Sequence, residues 1–424
     1  MLWCSDRLCR LSMYVPLLLV VGLWVFSYVA YESNVIIVYP ESNSVLLGMF
    51  FLASVFAASS GYHLGLGKRV GASHFQNYRS YAIIGLVSYL ALFLPVVYNY
   101  TGNNVSNILT LFLEPGTAYS NMQSQLKEGR EGRAWLLVVK ILVAPFVLFA
   151  LPYFAYRFFK FRKDGFYFFL IVFAFFLMSV FRGTDKEVFD VFVWSIAVLI
   201  AVRPLFLFVP FRNLTNFKYI TIFVLVLVVV FSLFSYKKSN RLGEVETRCY
   251  SGTDICYELD RSDATQFVTV MGYSYLTQGY YGLSRAFDAD YDYSWGMGHS
   301  PSLQYLGAAL FDMQFDDNLV SSLDDVGWVS RGQWSTGFVW LGNDIPLAVI
   351  PLFIFFAFFL LSWSYREFRE TQEILALVVF VYGFYNLLYM PLNLQLPKTG
   401  DLYLGYLFLL LVFIFRKRRR VANC

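Results

Sequence analysis

Charge is scarce in this chain. Asp, Glu, Lys and Arg make up 15% of its 424 residues while hydrophobic residues make up 58%, against about 25% charged in an ordinary soluble domain. That balance excludes a disordered polypeptide, which is kept open by charge and few aromatics, and it excludes a soluble enzyme. Five cysteines are too few for a disulfide scaffold, and three histidines (His63, His74, His299) offer no zinc-type Cys/His spacing. No basic stripe of the kind that follows a nucleic-acid backbone occurs, and no internal repeat stands out.

Long apolar stretches are present instead. Residues 219–236 (YITIFVLVLVVVFSLFSY) carry no charge over nearly the ~20 residues a helix needs to cross a bilayer. Ten such segments are read along the chain: 13–31, 45–63, 81–98, 135–156, 166–181, 188–208, 219–236, 341–361, 374–392 and 402–415. The first is too long for the core of a signal peptide and has no small-residue cleavage site after it, so it reads as a retained helix. With the N-terminus in the cytoplasm, 19 Lys and Arg fall in cytoplasmic segments and 6 in short outer loops, the bias of the positive-inside rule. Both termini are then cytoplasmic. Segment 188–208 has Asp190 near its start and Arg203-Pro204 near its end. Lys140 sits about one turn into the fourth segment and either snorkels outward or faces a polar cavity. The expectation is an all-α polytopic integral membrane protein. Residues 1–236 supply seven transmembrane helices, 237–340 a large outer loop, and 341–424 three more helices and a basic tail.

The outer loop holds 7 Lys and Arg against 14 Asp and Glu. Cys249 and Cys256 lie in it, while Cys4, Cys9 and Cys424 fall inside. In an oxidising compartment the outer pair either closes a small hairpin or stays as two free thiols. Residues 263–287 read as one or two helices opened by Asp263 as N-cap. Their tyrosines suit the outer headgroup layer. Residues 301–311 read as a second short helix, with irregular polar chain between. A loop of this length between two spans is usually functional.

Polar residues at the outer face gather in four stretches: EPGTAY (114–119), RGTDKEVFD (182–190), QGYYGLS (278–284) with GMGHS (296–300), and RGQW (331–334). Arg182 and Lys186 share a face at i, i+4 if a helix begins there. They then hold a phosphate or pyrophosphate, Arg as a fork and Lys as a point charge, or they anchor to headgroups and pair with Asp185, Glu187 and Asp190. His299 is a candidate base near neutral pH, or a surface histidine in a Gly-rich loop. Glu114 follows an apolar lead-in, 108–113, which suggests a segment dipping toward the membrane. In such surroundings its pKa rises and it can serve as acid or base; in the alternative it is an exposed loop carboxylate. Tyr280 and Tyr281 offer stacking faces for sugar rings, or anchor the loop at the interface.

With those residues in view, the chain resembles the Wzy family of O-antigen polysaccharide polymerases. The resemblance rests on the polytopic layout, on one large loop toward the C-terminal end, and on EPGTAY, RGTDKEVFD, QGYYGLS and GHS (298–300), about 30 residues in all. It implies a bacterial inner-membrane enzyme that joins lipid-linked oligosaccharide repeat units at the periplasmic face. The growing chain passes from undecaprenyl pyrophosphate to an incoming lipid-linked unit. It implies no cofactor or metal, membrane lipid as surroundings, and a chain-length regulator as partner. Arg182 and Lys186 would neutralise the leaving pyrophosphate, with Arg285 or Arg331 assisting. His299 would be the base, with Glu114 and Asp185 as alternatives, and Tyr280, Tyr281 and Trp334 would stack on sugars. An O-antigen ligase or a lipid-linked oligosaccharide flippase is the rival expectation.

Overall fold

A computed structural model describes residues 11–68, 78–128, 133–204, 232, 236–238, 247–260, 263–330 and 332–422. Of the segment 219–236 only residues 232 and 236 are described, so that span, like Arg331, lies outside the described residues.

The chain runs through α1 (Val15–Ser33), α2 (Ser44–Leu66), α3 (Arg79–Thr101), the short α4 (Ile108–Leu113), α5 (Pro115–Glu128), α6 (Arg133–Phe161), α7 (Gly165–Arg182) and α8 (Lys186–Val202). An antiparallel hairpin follows, β1 (Thr247–Cys249) with β2 (Cys256–Glu258). Then come α9 (Ala264–Ala286), α10 (Pro301–Phe311), α11 (Leu319–Ser322), α12 (Gly337–Gly342), α13 (Ile350–Thr371), α14 (Ile374–Leu388), α15 (Gln395–Lys398) and α16 (Gly400–Ala422).

The fold is all-α and polytopic. Among the described residues six segments are long and apolar enough to cross a membrane: α1, α2, α3, α7, Trp135–Phe161 within α6, and Leu347–Thr371, which ends as α13. Phe26, Leu52, Phe56, Leu142, Phe166 and Phe356 on these helices point outward and exposed. Such a belt is a liability in water and matches a hydrocarbon solvent. The expected spans 188–208, 374–392 and 402–415 correspond to α8, α14 and α16, which are shorter or more charged. α14 has only 15 residues and is buried on nearly every side, as a helix that is apolar all round should be. It packs against α1, α6, α8, α13 and α16.

Small residues set the closest helix contacts. Gly61 and Gly65 of α2, spaced as GxxxG, lie against α13, where a Cβ on Gly61 would come within 2.1 Å of the Phe355 carbonyl oxygen. In lipid, where apolar surface gives helices little reason to associate, such close backbone approach supplies the packing. Gly405 of α16 lies in the same way on Ala144 of α6.

Asp263 caps α9 as expected, its Oδ1 accepting from the Thr265 and Gln266 amides at 2.8 and 3.1 Å. α10 spans the expected 301–311. Cys249 and Cys256 sit opposite each other in the hairpin and are disulfide-bonded, which decides between the two alternatives. Within the hairpin, Tyr250 Oη meets Ser274 Oγ of α9 at 2.7 Å and Tyr39 Oη at 3.2 Å. α9 departs from expectation. Every residue from 277 to 284 is buried, so its central turns are core against α1, α2 and α12 and present no exposed tyrosine face there.

Candidate functional site

The C-terminal halves of α3 and α7 and the N-terminal turns of α6, α8 and α16 meet at one end of the bundle, around a cavity of about 500 Å³. Its geometry begins at the α7–α8 turn. Gly183 ends α7 with φ +59, a conformation glycine adopts without a Cβ penalty. Any side chain there would also strike Pro115 O at 2.3 Å and Tyr119 N at 2.7 Å. The EPGTAY and RGTDKEVFD stretches are thus packed directly on each other, and Asn103 stitches them further, donating from Nδ2 to Phe181 O at 2.7 Å. Because the helix breaks at Gly183, Arg182 and Lys186 do not share a helical face as expected. Arg182 closes α7, Lys186 opens α8, and both line the cavity.

Their counter-ions Glu187 and Asp190 line the cavity beside them. Arg182 Nη1 donates to Glu187, which also accepts from Thr184 Oγ1 at 2.8 Å. Lys186 Nζ reaches Asp190 at 2.6 Å, and the other Asp190 oxygen accepts from Tyr385 Oη at 2.7 Å. The two carboxylate side chains are each 6% exposed, whereas those of Arg182 and Lys186 are 34% and 29% exposed. Buried carboxylates therefore fix the cations, and the cations keep spare donors for the cavity. Lys140 of α6 also lines it and pairs with Asp401 of α16 at 3.1 Å, which selects the polar-cavity alternative for that residue.

Lys398 completes the set. Its Nζ stands 4.4 Å from the centre of the Trp340 ring, and among the described residues it has no carboxylate partner. Burial, with Lys186 nearby as a second positive charge, pushes its pKa down to about 8. Leu92, Phe93, Val96, Val143 and Phe175 form apolar walls. The cavity thus offers clustered cations at one end and hydrocarbon-like lining along its sides, a chemistry suited to an anionic lipid headgroup with its chain.

His299 does not line the cavity; Ser302, on the helix that follows it, does. Asp344 accepts the Gly296, Gly298 and His299 amides at 2.8, 2.7 and 2.9 Å and holds His299 Nδ1 at 2.5 Å. Burial raises the Asp344 carboxyl, but these hydrogen bonds and the His299 ring outweigh it and leave it below the usual range. An acceptor-only carboxylate places a proton on Nδ1. The Nε2 of a neutral ring then accepts from Tyr403 Oη at 2.6 Å. Tyr403 is two residues from Asp401, and Ser302, three residues after His299, lines the cavity. A Cβ on Gly400 would come within 2.0 Å of Ser302 Oγ, so α10 and α16 touch there. The trio Asp344–His299–Tyr403 can orient an imidazole and pass a proton through Tyr403.

The other expected site residues lie elsewhere. Glu114 is exposed, its Oε2 accepting from Thr117 Oγ1 at 3.3 Å. Its backbone caps α5 where Pro115 starts the helix, and it does not reach the cavity. Asp185 faces Lys237 at 3.5 Å, outside the lining. Arg285 grips the Val326 carbonyl through Nε and Nη2 at 2.9 and 2.8 Å and lines a different pocket with Tyr281. Tyr280 is fully buried, with its Oη on Trp24 O at 3.1 Å and its ring against Tyr28, Tyr31 and Phe51. Tyr281 is packed by Tyr39 and Trp328 and borders only the separate pocket it shares with Arg285, so Tyr280 has no face left for a sugar and Tyr281 none toward the cation cavity. Trp334 packs on Tyr275 with ring centroids 4.3 Å apart and tilted by 52°, and does not line the cavity. Sequence reasoning passed over Asp190, Asp344, Lys398, Asp401 and Tyr403 as site members. For Lys398 the signal was present, since it is one of few cations in the outer loops, as Lys186 is.

No group of three or more His, Cys, Asp or Glu suited to a metal ion occurs among the described residues. Compared with protein-family models, with curated proteins and with solved structures, the chain matches none.

Proposed function

We propose that this chain is a membrane glycosyltransferase that polymerises undecaprenyl-pyrophosphate-linked oligosaccharide repeat units, as the resemblance to Wzy-type polymerases implies. In this reading ten helices cross the bacterial inner membrane, both termini are cytoplasmic, and residues 237–340 and the cavity face the periplasm. The observation that carries it is the convergence of Arg182, Lys186, Lys140 and Lys398 on one apolar-walled cavity.

The chemistry follows from those placements. The acceptor sugar hydroxyl attacks the anomeric carbon of the donor, the bond from that carbon to the pyrophosphate oxygen breaks, and negative charge gathers on the lipid-bound leaving group. Preorganised cations in a water-poor cavity stabilise that charge most where it develops. The hydroxyl proton moves to His299, directly or through Tyr403, while Asp344 stabilises the imidazolium. A chain-length regulator would act as a partner of the same machine.

Reconstituting the full chain in proteoliposomes with synthetic lipid-pyrophosphate-linked repeat units tests the reading. A ladder of products, each longer by one unit, is expected. Transfer only to lipid A core would make it a ligase, and movement of intact donor across the bilayer without new bonds would make it a transporter. Either outcome overturns the proposal.

A further inference from the structure

A second recess runs along the outside of the bundle, on the seam between α6 and α16, and no site described so far uses it. It is a trough of about 620 Å³. α16 leaves the cation cavity at Leu402 and lines the trough from Leu404 to Arg416, about 18 Å at 1.5 Å per residue. That is slightly more than the ~15 Å hydrocarbon depth of one leaflet. Because α16 begins at the cavity's face of the membrane, the trough starts near mid-bilayer and ends at the opposite face.

Small residues shape its floor. A Cβ on Gly405 would come within 2.8 Å of the Ala144 Cβ, so α16 and α6 touch there. Gly405, Leu409 and Phe149 are buried along the floor, while Tyr81, Leu142 and Phe408 stand exposed along the rims. A concave apolar surface contacts a hydrocarbon chain on several sides, where a projecting ring touches it on one. The far end is polar. Arg416 Nη1 donates to Tyr78 Oη at 3.0 Å and stands 3.4 Å from Glu373. Among the described residues both contacts fall on Nη1, which leaves the Nε and Nη2 donors for a ligand. α16 continues to Ala422 through Lys417, Arg418, Arg419 and Arg420, four more positive charges in little more than one turn.

We propose that this trough binds one anionic phospholipid, with an acyl chain along α6 and α16 and the phosphate at Arg416 and Tyr78. An apolar trough alone would accept any lipid. The cations at its end select a negative headgroup, each favouring it by about fivefold near the surface, and a guanidinium offers a phosphate oxygen pair a matching fork of N–H donors. The same cations argue against a second copy of the chain as occupant. A two-fold pair joined along this seam, its axis across the membrane, would set one run of residues 416–420 beside the other, and like charges at that distance repel. The inference needs only that the bundle spans a membrane and is independent of the polymerase reading.

The test uses the full chain in nanodiscs of phosphatidylcholine doped with a phosphatidylglycerol that carries a diazirine in one acyl chain. After illumination, labelled residues are mapped by peptide mass spectrometry. Leu142, Phe146, Phe408 and Val412 are expected to take at least about fivefold more label than Leu52 and Phe56 on the outward face of α2. Phosphatidylcholine bearing the same diazirine should show a preference about fivefold weaker. Arg416→Gln should lower labelling in the trough by about fivefold and leave α2 unchanged, and Arg416→Lys should keep most of it. The comparison of the two headgroups in the wild type decides the matter even if the Gln variant fails to assemble. Equal labelling of trough and α2 by phosphatidylglycerol overturns the proposal, as does equal preference for the two headgroups or full labelling in Arg416→Gln. So does a disulfide-linked dimer of Leu142→Cys formed in place of lipid labelling, which would make the seam an interface between two copies.

Discussion

The Arg182–Lys186 pair and the Tyr280–Tyr281 pair were both site candidates in the sequence, and the structure separates them by what is left over. Around Tyr280 the hydroxyls are spent within the protein: that of Tyr280 meets Trp24 O and Ser27, and Tyr39 bridges Thr277 at 2.9 Å. In the cavity each carboxylate is spent and each cation is not, because Arg has five donors and Lys three while the carboxylates beside them use only some. Lys398 uses none on a carboxylate among the described residues. A buried network that is fully satisfied specifies a core; one that keeps donors facing open space is equipped to bind.

Removing a cation is the strongest way to sharpen that contrast. Arg182→Ala is expected to lower polymer formation by about 10²–10³-fold, read as single-unit products in the proteoliposome ladder. Since this change leaves Glu187 buried without its partner, Arg182→Ala with Glu187→Gln restores folding but not activity. A ladder of normal length from the double variant would remove the cavity from the reaction. His299→Ala should cost about 10²-fold at neutral pH. Tyr403→Phe, which keeps the ring, should cost less, and equal rates in all three proteins would place the base elsewhere.

The converse expectation concerns the core. Tyr280→Phe should leave turnover unchanged and lower stability by about 1 kcal/mol, the net worth of one hydrogen bond, measured as a shift in thermal unfolding. Lost turnover with unchanged unfolding would break the comparison.

The smallest effect is on pH. The charge of Lys398 is complete well below about 8 and is lost as pH rises through that value, whereas in the unfolded chain it persists toward 10.5. Inhibition of the ladder reaction by inorganic pyrophosphate should therefore weaken a few-fold above about pH 8, and Lys398→Gln should flatten the profile. The same sign gives the folded state a gain in stability between about 8 and 10.5, because the unfolded chain holds the extra proton there.

Helix positions were legible because apolar length decides them, and the cap at Asp263 was legible because capping is local chemistry. The ends of the charged pair were not. Arg182 and Lys186 suggest one helical face until Gly183 takes a positive φ, which depends on Pro115 and Tyr119 lying against it from a distant stretch. For the same reason α9 gave the wrong surroundings: its tyrosines fit an interface as well as a core, and only α1 and α2 closing over it settles the matter. Asp344 and Tyr403 were hidden by separation, since they lie 45 and 104 residues from His299. Nothing local announces such partners.

The Cys249–Cys256 clip has a mechanical consequence. Two strands of three residues each are too small to persist on hydrogen bonds alone, yet Tyr250 inside them joins the α1–α2 connection to α9 through Tyr39 and Ser274. The disulfide therefore holds in place the small hairpin through which Tyr250 ties the α1–α2 connection to α9, and reduction would loosen that tie while leaving the helix contacts intact.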